Sequence, residues 1–176
     1  MTDARSKIGK SSKAKGAAAE LEVRNLVQAW WRQLEPECVF ARTPSSGGWS
    51  APSMRGEFKV AGDLTTTAQH WPFTVEVKRR EGWSDKALVE GYRSPVWDWW
   101  RQVITSAAEE GRTPMLWFRR SHIKWLVMLP QSYVVANASV LPIVICWPYQ
   151  AFNFLVHPIV VAADELLKLD SRKFAT

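Results

Sequence analysis

The sequence is poor in the residues that staple small folds or bind soft metals. Its 176 residues include two cysteines and three histidines. Cys38 and Cys146 show neither CxxC spacing nor a histidine close by, which argues against a zinc site and leaves two reduced thiols inside the fold. His70, His122 and His157 are equally scattered, so histidine-centred catalysis has little to build on. No apolar run reaches the roughly 18–20 residues that cross a bilayer, and the N-terminus lacks an apolar signal-peptide core. The expectation is a soluble, cytoplasmic protein with no membrane partner. No internal repeat is present.

What is abundant is positive charge and tryptophan. Lys and Arg outnumber Asp and Glu by 23 to 17, for a formal net charge of +6. Basic surface attracts polyanions through its long-range field and through counterion release, so nucleic acid is the leading class of partner. The 11 tryptophans are expected mainly as core or interface anchors. The length suits one domain that buries its own core.

Residues 1–15 carry Arg5, Lys7, Lys10, Lys13 and Lys15 against Asp3 alone, without apolar periodicity; they read as a flexible basic arm preceding a single domain at 16–176. From Gly16, the spacing of Ala19, Val23, Leu26, Val27, Trp30 and Leu34 predicts a helix that ends before Pro36. Glu20 falls at the flank of its apolar arc and needs a partner there, whereas Glu22 falls outside it and needs none. A strand over 38–42, the Gly/Ser/Pro-rich loop TPSSGGWSAPSMRG, and strands over 58–64 and 73–79 follow, the last two read as a hairpin. Pro95 opens a helix stopped by Gly111, with Val96, Trp99, Trp100, Val103 and Ala107 on its core face and Gln102 beside it. Two further strands surround a turn at Ser121-His122, the proline-broken stretches after Pro130 suggest extra strands or a subunit interface, and AADELLKL reads as a short helix. This order gives an α/β fold with a mixed sheet flanked by helices.

The strand containing Glu76 and Lys78 raises the chemical question. Its period of two sends Phe73, Val75 and Val77 to one face and Glu76 with Lys78 to the other. Glu20, Asp63, Glu76 and Lys78 together would make three carboxylates and an amine, a donor set for a hard cation such as Mg²⁺. An ion held there would stabilise charge on a phosphate and help generate hydroxide, with Lys78 orienting the attacking water or balancing the phosphate.

Glu20, Gly62-Asp63 and Glu76-Val77-Lys78 resemble the PD-(D/E)XK nuclease motif. The order Lys15-Gly16-Ala17-Ala18-Ala19-Glu20, then Arg42-Thr43-Pro44-Ser45-Ser46-Gly47, then the aspartate, the Glu-x-Lys and a helical glutamine at Gln102, is similar to archaeal-type Holliday-junction resolvases over about residues 15–120. The resemblance implies a restriction-endonuclease-like fold. It implies metal binding by Glu20, Asp63 and Glu76 with the Val77 carbonyl, and Lys78 as the catalytic lysine. DNA contacts are implied for Lys15, Arg24, Arg42, Ser46, Arg79, Arg80 and Gln102. Where the family often has an arginine after the glutamate this chain has Leu21, with Arg24 a turn later. The implied activity is Mg²⁺-dependent cleavage (Mn²⁺ substituting) of four-way DNA junctions by a homodimer, with no small-molecule cofactor, in the cytoplasm of a cell or virus-infected cell. Other PD-(D/E)XK nucleases acting on duplex, nicked or flap DNA, and a noncatalytic DNA-binding protein of the same fold, stay open at this point.

Overall fold

The computed structural model describes residues 3–43, 59–90, 94–137, 143–146 and 156–175. Helix α1 (Asp3–Trp31) buries Ala19, Val23, Val27 and Trp30 of the stripe its spacing predicts and adds Trp31, while Leu26 and Leu34 are only partly buried against the core. Its backbone is helical from Asp3, so the boundary expected at residue 15 is not a boundary in secondary structure. The basic stretch lacks an apolar face, but Ala, Lys and Arg are strong helix formers, and one glycine costs only about 1 kcal/mol.

Strands β1 (Phe40–Arg42), β2 (Lys59–Ala61) and β3 (Leu64–Thr66) form an antiparallel sheet in the order β1-β3-β2. The expected hairpin between 58–64 and 73–79 is not formed. Gly62, at φ 64°, turns the chain tightly enough to make β2 and β3 the hairpin. Strand β4 (Phe73–Arg79) instead joins a second sheet in the order β4-β5-β6-β8-β7. It runs parallel to β5 (Thr113–Arg119), while β6 (Leu126–Pro130), β8 (Pro158–Ala162) and β7 (Ile143–Cys146) continue antiparallel. The parallel step follows from the connection, because helix α3 (Pro95–Glu109) crosses from the end of β4 to the start of β5.

The five-stranded sheet is covered on both faces, which is the mixed α/β architecture expected. On one side Phe73, Val75, Val77, Met115 and Trp117 pack with the α1 stripe and an aromatic group of Phe40, Trp71 and Phe174. On the other, Leu116, Phe118, Met128 and Val160 pack under α3 and the short helix α2 (Asp85–Val89), which periodicity did not reveal. Helix α3 buries Trp97 where Trp99 was expected, and Trp99 is only partly buried. After Pro130, helix α4 (Gln131–Asn137) precedes the two predicted extra strands, and α5 (Ala163–Leu166) is the short C-terminal helix.

One contact sets the small sheet against the large one. The Asp63 N–H donates to the Val75 carbonyl at 2.7 Å, and Gly62 bridges Val75 in parallel. A Cβ on Gly62 would lie 2.1 Å from the Val75 carbonyl oxygen, so only glycine permits the approach. Gly111 has the same φ of 64°, but a Cβ there would meet nothing within 4 Å. Gly111→Ala should therefore cost only backbone strain, about 1 kcal/mol, and Gly62→Ala at least about 2 kcal/mol, read as urea-unfolding midpoints. Equal losses in the two variants would show that the close approach to Val75 is dispensable.

Candidate active site

Glu76 and Lys78 occupy alternate positions of β4 and share its α3 side, in register with Leu116 and Phe118 of β5. The Lys78 Nζ lies 2.6 Å from Glu76 Oε2, and the two side chains are 19% and 7% exposed. A carboxylate so buried requires a compensating donor, and Lys78 supplies it. Gln102 of α3 points its Nε2 at the same oxygen from 3.5 Å, the outer limit of a hydrogen bond.

Asp63 reaches this pair from the β2–β3 turn. Its Oδ2 accepts the Val77 N–H at 2.8 Å, so the side chain takes the place of a neighbouring strand's carbonyl on the edge of β4. Its carboxyl also lies near enough to Glu76 for the two negative charges to repel. Burial, and next the charge of Glu76, push Asp63 up to about 6 against the pull of the Val77 N–H and Lys78. Two crowded carboxyls with more negative charge than one lysine neutralises are a donor set that fits a hard divalent cation, whose arrival would remove the repulsion.

Glu20, the third acid expected to bind metal, is engaged elsewhere. Its Oε2 accepts from Arg42 Nε at 2.7 Å and Nη2 at 2.6 Å. Among the described residues no three acidic, histidine or cysteine side chains gather as a metal site. Arg42 ends β1 opposite Leu64, and the next residue, Thr43, donates its N–H to the Asp63 carbonyl at 2.9 Å. Val77 contributes its amide to Asp63.

Of the other predicted DNA contacts, Arg79 and Arg80 stand at and just beyond the end of β4. Arg79 is partly buried opposite Arg119, and Arg80 is exposed. Lys15 is exposed on α1 and near enough to Glu81 to help lower its carboxyl after the hydrogen bonds from Ser121. Arg24 is partly buried. Ser46 lies outside the described residues.

Sequence reasoning missed one cluster. Glu22, expected to need no partner, accepts from Arg119 Nη2 at 2.6 Å and Trp125 Nε1 at 2.9 Å, while the guanidinium stacks 4.4 Å from the Trp125 ring centroid. Glu22 lies 97 and 103 positions from Arg119 and Trp125, so no local spacing could have signalled the cluster. The cluster clasps α1 to β5 two residues beyond Glu20.

A family model described as "Phage putative PDDEXK endonuclease" matches residues 11–154. No curated protein matches the chain. Among solved structures, the chain is similar to the 1.6 Å structure of Archaeoglobus fulgidus Hjc, a Holliday junction resolvase from an archaeal hyperthermophile. Identity is 14% and the TM-score 0.31, over 84% of this chain and 91% of that one.

The Asp63 carboxyl generates a pH prediction for metal-free protein. Its folded value of about 6 lies above the ordinary 3.8, so between these values the folded state holds a proton that the unfolded chain has lost. Its contribution to stability must fall as pH rises through that window. Asp63→Asn keeps an acceptor for the Val77 N–H and carries no charge. In EDTA, its stability relative to wild type should rise by on the order of 2 kcal/mol between pH 4 and pH 7. Urea midpoints that differ by the same amount at both pH values would show that burial and Glu76 do not raise the Asp63 carboxyl in the folded state.

Proposed function

This chain belongs to the family of phage PDDEXK endonucleases, and from its site we propose that it is a divalent-metal-dependent endodeoxyribonuclease that cuts four-way DNA junctions by paired, symmetric nicks as a homodimer. The observation that carries the chemistry is the meeting of Asp63, Glu76 and Lys78 at the edge of β4. Asp63 and Glu76 would hold the ion, Mg²⁺ or in its place Mn²⁺, and when bound it supplies positive charge to the phosphate undergoing attack. Lys78, held by Glu76, stands where its ammonium can orient the attacking water or balance the phosphate. A protein that only bound DNA would gain nothing from two crowded carboxylates, which repel phosphate.

The substrate reading is supported by the order of Lys15-Gly16, Glu20, Arg42-Thr43-Pro44-Ser45-Ser46-Gly47, Asp63 and Glu76-Val77-Lys78. Four-way junctions are cut on two opposed strands, and one active site per chain then requires a two-fold dimer. Lys15, Arg24, Arg79 and Arg80 would contribute phosphate contacts, with Arg42 and Ser46 nearest the cut strand.

Labelled four-way junction, flap, nicked and linear duplex DNA incubated with the protein in Mg²⁺ and in EDTA test this reading. We expect Mg²⁺-dependent paired nicks on the junction. Asp63→Asn and Glu76→Gln should lower the rate at least about 10³-fold, about 4 kcal/mol of barrier, with junction binding retained. Near wild-type cleavage by both variants would remove the metal-site assignment. Equal cleavage of duplex or flap would replace junction resolution with a broader nuclease activity.

A further inference from the structure

Glu20 and Arg42 face each other across the junction of α1 and β1. Two N–H groups of the guanidinium, from Nε at 2.7 Å and Nη2 at 2.6 Å, converge on one carboxylate oxygen. We infer that Glu20 acts on Arg42 and not on the cation: it is a positioning residue that holds the guanidinium in one orientation beside the site, ready for a DNA phosphate. This inference rests on the reading of the chain as a metal-dependent nuclease.

Both ends of the pair are anchored. Arg42 sits on β1 in register with Leu64, and its neighbour Thr43 is bonded to the Asp63 carbonyl, so the arginine backbone is fixed to the same turn that supplies the metal-binding aspartate. Glu20 sits on α1 between two restraints. The buried stripe of Ala19 and Val23 prevents the helix from rolling, and Glu22 is clasped by Arg119 and Trp125. The side chains of Glu20 and Arg42 are 19% and 33% exposed, so the contact is partly shielded from water. The two carboxylates that do meet are Asp63 and Glu76.

The pair uses only two of the five N–H groups of Arg42, and an arginine fork can bind a carboxylate with one edge while presenting N–H groups to a phosphate. Holding the fork in place lowers the entropy lost when substrate arrives. The carboxylate also cancels the arginine's net charge, so the pair contributes aim at some cost in affinity. A metal ligand and a positioning residue therefore fail differently.

The test uses the full chain with Mn²⁺ alone, followed by electron paramagnetic resonance of the free ion, and separately a four-way DNA junction in EDTA. Glu20→Gln should keep Mn²⁺ affinity within threefold of wild type, whereas Asp63→Asn weakens it at least tenfold. In EDTA, Glu20→Gln should tighten junction binding at least threefold through the freed charge of Arg42, and have no effect in an Arg42→Ala background. With Mg²⁺, it should slow single-turnover cleavage at saturating protein. Should Glu20→Gln fail to fold, Arg42→Lys, which keeps the charge and loses the fork, should slow saturated cleavage while leaving junction affinity within threefold. A loss of Mn²⁺ affinity beyond threefold in Glu20→Gln overturns the inference, as does a change in DNA affinity that is equal in both Arg42 backgrounds or absent from both. Unimpaired saturated cleavage in Arg42→Lys overturns it as well. Unchanged Mn²⁺ affinity in Asp63→Asn overturns the metal-site reading instead, and a chain that binds no DNA overturns both.

Discussion

Two hydrogen bonds hold the candidate site together. The Asp63 N–H reaches the Val75 carbonyl and the Val77 N–H reaches the Asp63 carboxylate. Strand β4 is an edge of the five-stranded sheet, and an edge presents unpaired backbone groups that must be satisfied or exposed to water. The β2–β3 turn satisfies two of them, one by backbone and one by side chain. That economy brings the aspartate beside Glu76, and the absence of a side chain at Gly62 allows it. The charge crowding that favours a cation is a consequence of this packing. Asp63 could not be moved from Glu76 without also opening the edge of β4.

The large sheet separates support from chemistry by the alternation of its strands. Phe73, Val75 and Val77 face α1 and lock β4 into the aromatic core, while Glu76 and Lys78 face α3, where Gln102 approaches. The same seven residues thus provide burial on one face and a polar site on the other. Rigidity comes from contacts remote in sequence. Glu22 joins α1 to β5. Just beyond the C-terminal end of α1, Glu35 accepts the N–H groups of Gln69 and His70; burial alone would raise its carboxyl, but these bonds and the Trp31 N–H together outweigh it and hold the carboxyl low. These clasps fix the helix that presents Glu20.

Local periodicity and local chemistry encode part of this architecture. Strand β4, the span and most of the buried face of α3, and the stripe of α1 from Ala19 to Trp30 were legible because each repeats at its own structural period over a turn or more. Lys78 beside Glu76 was legible because a strand places alternate residues on one face. The remaining features arise from contacts between segments distant in the chain. The tertiary structure broke the expected strand over 58–64 at Gly62-Asp63, giving β2 before the turn and β3 from Leu64 onward, and made β4 parallel to β5, because strand pairing depends on where the chain returns and not on composition. It joined Glu22 to Arg119 and Trp125, and it paired Glu20 with Arg42. Asp63 beside Glu76 could be guessed from motif order, but the carboxyl's raised affinity for a proton could not. That property comes from burial and a neighbouring charge, and both exist only once the turn has closed on the edge of β4.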